Sequence, residues 1–277
     1  MGNTFMKITA FEHGDQILVG TVGANGDVHA LDDIASFWRD PYGDRVAAVE
    51  TVGTIETIKE RPALPASAKV ICVGLNYRAH AKEANLPIPS QPVIFSRWAS
   101  TLAASGEPAP KIEDQFDWEG ELGVVIGRRM FRASRDQAID GIFGYVAFND
   151  LSARSFQLQT SQWTMGKNSP ASGPMSAITT SDEVSDPAKG LRLTTWVNGE
   201  IVQDGSTSDM IFSVPDIIVH ISQAIALTPG DLIITGTPSG VGHATGRYLS
   251  VGDVVDVEIE GVGRVRTPIV EAPAAIV

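Results

Sequence analysis

The sequence predicts a β-rich α+β fold, and three observations carry that prediction. Short β-branched and aromatic segments recur from Val70 onward, proline and glycine turns separate them, and the regular strand-helix alternation of a doubly wound sheet is absent. In chain order, residues 17–22 and 28–31 flank Asn25-Gly26 and form a hairpin. Asp32 or Asp33 caps a short helix through Trp38, Asp40-Pro41-Tyr42-Gly43 turns the chain, and a weaker helical segment follows over 44–59. Arg61-Pro62-Ala63-Leu64-Pro65 is an extended linker that divides a small N-terminal α/β domain, 1–65, from a larger domain, 66–277. Residues 69–73 then form a buried strand. Residues 121–126, apolar on both faces, form a strand covered on both sides, and 142–148 form a second. Later come a hairpin over 194–202 around Asn198-Gly199, a helix over 214–227 and a strand over 232–235. Strands 254–259 and 264–269 close the chain around Glu260-Gly261-Val262-Gly263.

Composition narrows the class. A chain of 277 residues with 43% hydrophobic and 19% charged residues buries a substantial core. Its net charge of -12 and lack of a Lys/Arg run argue against a nucleic-acid surface. The single cysteine, Cys72, excludes an intramolecular disulfide and reads as a core thiol. The most apolar stretch, 211–234, is interrupted by Asp216, His220, Pro229 and Asp231, so no membrane span is expected. With no charged leader segment at the N-terminus, a cytoplasmic location is the default expectation.

The chemistry concentrates in Asp117-Trp118-Glu119-Gly120-Glu121. Two-residue spacing on a strand projects Glu119 and Glu121 together, and the next buried strand ends at Asn149-Asp150. Three carboxylates converging in an apolar setting require a counter-charge. The donor set suits Mg²⁺, Mn²⁺ or Ca²⁺ rather than zinc, although Glu-x-Glu is also common on solvated edge strands. His80 and Glu83, i and i+3 on a short helix ended by Pro87 and Pro89, form either an exposed pair or a general base oriented by a carboxylate on a lid. Helical spacing puts Asp150, Arg154 and Gln157 on one face, where Arg154 either pairs with Asp150 or grips a substrate carboxylate. Lys167 stands alone among aromatic and small residues. Thr235-Gly236-Thr237-Pro238-Ser239-Gly240-Val241-Gly242 lets backbone amides approach an anion, or is a plain tight turn. His220 reads as core and His243 as ambiguous. No serine-nucleophile elbow, zinc helix or cysteine pair is present.

Gly74-Leu75-Asn76-Tyr77 with His80 and Glu83, Glu119-Gly120-Glu121, Asn149-Asp150 with Arg154 and Gln157, Lys167, Val197-Asn198-Gly199-Glu200 and the 235–242 loop together resemble the fumarylacetoacetate hydrolase family. The resemblance runs from about Val70 to the C-terminus. It implies a mixed β-roll catalytic domain, usually dimeric, with Mg²⁺ or Mn²⁺ held at Glu119, Glu121 and Asp150. It further implies a water-activating His80-Glu83 dyad, and Arg154, Gln157, Lys167 and Thr237 contacting substrate, with Lys167 steadying oxyanion charge. The expected activity is hydrolysis of a carbon-carbon bond in a 1,3-diketo acid of the acylpyruvate type, through an enolate stabilised by the metal. Oxaloacetate decarboxylation, 2-oxo-alkenoate isomerisation or hydration, and non-catalytic oxo-acid binding are the alternatives. Ser169-Pro170, Met175-Ser176-Ala177 and Ser155 depart from the residues many relatives carry, which leaves substrate identity open.

Overall fold

The computed structural model describes residues 7–44 and 50–274. One long mixed sheet runs in the order Gly53–Thr54, Asp27–Asp33, Gln16–Val22, Lys7–His13, Ile178–Thr180, Ile142–Asn149, Gly120–Ile126, Leu232–Ile234, Lys69–Gly74, Val93–Trp98. A second, five-stranded sheet orders Glu200–Ser206, Arg192–Val197, Val254–Ile259, Gly263–Glu271 and Ala109–Lys111.

The strand Gly120–Ile126 is central and buried along its whole length. Its alternation serves two cores. Leu122, Val124 and Ile126 pack with Leu193, Val255 and Val257 of the second sheet, whereas Val125 packs with Val146, Ile234 and Trp38 on the other face. Burying a Val or Leu side chain contributes roughly 1.5–3 kcal/mol, so displacing this strand would be costly. Gly120 itself is dictated by sheet packing, since a Cβ there would lie 2.3 Å from the Thr195 hydroxyl.

The N-terminal hairpin spans Gln16–Val22 and Asp27–Asp33, and Asp33 caps the helix Ile34–Arg39 by accepting from the amides of Ala35 and Ser36. The strand Lys7–His13, which no alternation announced, joins this hairpin to the long sheet through Lys7↔Thr179 and Ile8↔Ile178. The helix expected over 44–59 is not formed in its described part. Gly53–Thr54 is a strand paired to Asp27–Asp33, and a turn follows; residues 45–49 lie outside the described residues. Glu60–Arg61, whose second residue reads as the start of the linker, pairs with Lys7–His13. The helix expected over 214–227 stops at Ser222, because Leu227 leaves to bridge Met130. The Asn198-Gly199 turn is present with positive φ at both residues, 54° and 81°, the geometry of a tight hairpin. Among the described residues no helix is long and apolar enough to cross a membrane.

Candidate active site

Antiparallel register assembles the carboxylates. Gly120 opposes Asn149 and Glu121 opposes Phe148, so the start of one strand lies beside the end of the other, and the Asp150 amide donates to the Glu119 carbonyl at 2.8 Å. One oxygen from each of Glu119, Glu121 and Asp150 lies within 4.8 Å of the others, and all three residues are buried.

Their counter-charges come from three other segments. Lys167, 1% exposed, places Nζ 2.5 Å from both Glu119 Oε2 and Asp150 Oδ2. It is the opposite of a surface lysine. Arg154 pairs with Asp117 and Glu119, both at 2.7 Å, and donates to Gln157 at 2.9 Å. The pairing of Asp150 with Arg154 does not form. Asp150 precedes the helix Arg154–Gln157 and is separated from it by the strand Ser152–Ala153, so only Arg154 and Gln157 share a helical face. Besides Lys167, Asp150 pairs with Arg97, a fully buried guanidinium that also donates to the Leu151 and Ser172 carbonyls at 2.8 and 2.9 Å. Sequence reasoning missed Arg97; an arginine inside the otherwise apolar Val93-Ile94-Phe95-Ser96-Arg97 run was the available signal.

Electrostatics follow from this arrangement. Burial pushes Glu119 upward, but Lys167 and Arg154 outweigh it and hold the carboxyl at about 2. Glu121 goes the other way. Burial, then the charges of Asp150 and Glu119, raise it well above the carboxylate range, although the Gly236 amide donates to it at 2.5 Å. Burial lowers the Lys167 ammonium, yet Asp150 and Glu119 more than compensate and raise it. Four buried carboxylates, Asp117 included, thus face three cations. Glu121, the carboxylate that no cation pairs with among the described residues, is the one whose proton is retained. Hard oxygen donors converging in this way fit a divalent cation that could take that proton's place, which Glu119, Glu121 and Asp150 would hold.

Above this floor opens a cavity of about 310 Å³ whose lining includes Glu119, Glu121, Arg154, Lys167, His80 and His243. On the helix Arg78–Glu83, His80 Nδ1 lies 3.3 Å from Glu83 Oε2, and Glu83 Oε1 accepts from the Gly240 amide at 2.9 Å. The dyad helix is therefore fastened to the glycine loop. Its end is set by Asn85, at φ 53°, ahead of Pro87. Thr237 lines the cavity, but its hydroxyl donates to the Gly120 carbonyl and accepts from Gln203, both at 2.8 Å. Gln203, also unforeseen, further accepts from the Gly120 amide at 2.9 Å and joins the hairpin to the floor. A wider cleft of about 480 Å³ elsewhere, lined by Arg135, Tyr145 and Asp186, holds no such group of metal-ligating side chains among the described residues.

Residues 69–270 match the family profile described as Fumarylacetoacetate (FAA) hydrolase C-terminal. The chain belongs to the fumarylacetoacetate hydrolase family. Its sheets form the mixed β-roll expected of this family. It is 32% identical to the 2-hydroxyhepta-2,4-diene-1,7-dioate isomerase of Mycobacterium marinum, whose crystal structure superposes with a TM-score of 0.81 over 97% of this chain and 100% of that one. It is 37% identical over 279 aligned residues to the 2,4-didehydro-3-deoxy-L-rhamnonate hydrolase of Sphingomonas sp., with 96% of each chain covered. It is 40% identical to the human mitochondrial oxaloacetate tautomerase FAHD2A over 70% of this chain, a match spanning 64% of that protein's length. Family members thus include hydrolases, isomerases and tautomerases.

Proposed function

We propose that this protein is a metal-dependent hydrolase that cleaves a carbon-carbon bond in a 1,3-diketo acid of the acylpyruvate type. One observation carries the reading: an imidazole oriented by a carboxylate and a buried, charge-compensated carboxylate floor line the same cavity. A diketo acid needs both, an activated water at one carbonyl and a cationic environment for the departing enolate at the other.

Mg²⁺ or Mn²⁺, when bound by Glu119, Glu121 and Asp150, supplies Lewis-acid polarisation of the oxo-acid end. Everything else falls to side chains. In the tautomer that directs Nδ1–H to Glu83, 3.3 Å away, His80 would keep Nε2 free to take a proton from water for attack on the distal carbonyl. The bond between that carbonyl carbon and the adjacent methylene then breaks. Its electron pair leaves as the pyruvate enolate, which takes up a proton, and the acyl half departs as a carboxylic acid. Lys167 donates to oxyanion charge from a buried position, and Arg154 with Gln157 orients the substrate carboxylate. The full-length likeness to a hydrolase whose named substrate is a 2,4-didehydro sugar acid supports this chemistry. A homodimer is part of the same reading, checked by light scattering.

Mn²⁺-loaded protein incubated with a panel of acylpyruvates should release pyruvate and the matching carboxylic acid; no pyruvate from any member defeats the proposal. The likeness to oxaloacetate tautomerases favours a second reading, keto-enol exchange of oxaloacetate with His80 moving the proton. Ultraviolet decay of enol-oxaloacetate without acylpyruvate cleavage would select it.

A further inference from the structure

His243 is a cavity-lining polar side chain that neither the carboxylate floor nor the His80-Glu83 pair employs. It is held at both ends. Its amide and that of Gly242 donate to Asp117 at 2.9 and 2.7 Å, the carboxylate that also anchors Arg154. Its ring Nδ1 lies 3.0 Å from the Tyr248 hydroxyl, with the two rings 6.3 Å apart. Gly242 permits this seating, because a Cβ there would meet the Arg247 carbonyl at 2.0 Å and Asp117 at 2.6 Å. The Leu249 amide, donating to the Phe116 carbonyl at 2.8 Å, fixes the chain just beyond Tyr248. The ring atom taking no part in these bonds is Nε2.

The cavity is polarised from floor to rim. Glu119, Glu121 and Lys167 are buried, whereas Ala84, Leu86, Leu158 and His243 are exposed at the mouth. A diketo acid with its oxo-acid end on the floor directs its acyl chain to that rim, where three apolar side chains and one hydrogen-bonding ring line the opening. We infer that His243, braced by Tyr248, is a specificity residue that reads an oxygen on the acyl chain, so that this chain prefers short hydroxyacyl-pyruvates, the class to which the named substrate of the Sphingomonas hydrolase belongs, over plain alkanoyl ones. The inference rests on the cleavage reading above and names its substrate class.

The test compares Mn²⁺-loaded protein on two probes that differ by one hydroxyl, lactoyl-pyruvate and propanoyl-pyruvate. One hydrogen bond at a half-open site predicts a kcat/KM ratio of about tenfold favouring the hydroxylated probe. His243→Leu should bring the ratio close to one, His243→Gln should restore part of it, and Tyr248→Phe should fall between. A wild-type ratio near one, or a ratio unchanged in His243→Leu, overturns the inference. If wild-type protein cleaves neither probe nor any other acylpyruvate of the panel, the cleavage reading fails by itself. The same ratio, read calorimetrically from the dissociation constants of the two probes on wild type and His243→Leu, then decides the inference by the same criterion.

Discussion

The floor and the rim of the cavity are built on opposite principles. On the floor Glu119, Lys167 and Arg154, and beneath it Asp150 and Arg97, are all buried, and their ion pairs lock one another. At the rim, His80 pairs loosely with Glu83 at 3.3 Å, and Leu86 and Leu158 are 52% and 58% exposed. Buried charges are costly to separate and cheap to keep together, so the floor admits little change. Rim contacts are screened and individually weak, so they can vary with the substrate at small cost to the fold. Shared chemistry with a divergent substrate is what such a division allows in a family whose relatives carry hydrolase, isomerase and tautomerase names.

The sharpest way to break this contrast is at Lys167. Lys167→Met strands Glu119 and Asp150 without their ammonium, and should lower stability by about 3–5 kcal/mol as well as turnover by about 10³-fold. Denaturant melts with and without Mn²⁺ check it, because a saturating cation that binds only the folded state returns part of the loss. Stability unmoved by the substitution would mean that the floor is not locked. At the rim, His80→Ala should cost turnover about 10²–10⁴-fold while stability stays within about 0.5 kcal/mol. Paired kinetics and melts separate that outcome from a folding defect.

Arg97→Met should act like a floor change although Arg97 lines no part of the cavity: about 3 kcal/mol less stable, with weaker Mn²⁺ binding by calorimetry. Full Mn²⁺ affinity in that variant would show that Asp150 needs no brace. The smallest effect lies far from both regions. Burial raises Glu60 from 4.5 to about 7, only partly offset by a 2.8 Å hydrogen bond from Thr9. The folded state therefore favours the protonated acid. Its stabilising contribution is complete below about 4.5 and lost as pH rises through about 7. Glu60→Gln should match wild type near pH 4 and exceed it at pH 8 by about 1–3 kcal/mol, measured as melts across pH.

Legibility tracked locality. Glu119, Glu121 and Asp150 could be read because a two-residue repeat and the end of an apolar run announce them, and His80-Glu83 because i,i+3 spacing does. Arg97 and Gln203 could not, since their partners lie 53 and 83 residues away. The helix expected over 44–59 failed where described because pairing to Asp27–Asp33 and a turn at Thr54 prevailed over a weak helical pattern. Asp150, Arg154 and Gln157 were placed on one helix because helical spacing cannot reveal that Ser152–Ala153 pairs with Phe116–Asp117 and interrupts it.

By itself the sequence determined the covered strands, the Asn198-Gly199 turn, the short helix capped at Asp32 or Asp33 and the three carboxylates, all consequences of short-range backbone preference and side-chain alternation. Tertiary structure alone decided which cation neutralises which carboxylate, and that His243 meets Tyr248 at the cavity mouth. The physical reason is that charge compensation inside a low-dielectric core depends on distances of a few ångströms between segments remote in sequence. No local pattern encodes those distances until the sheets have closed.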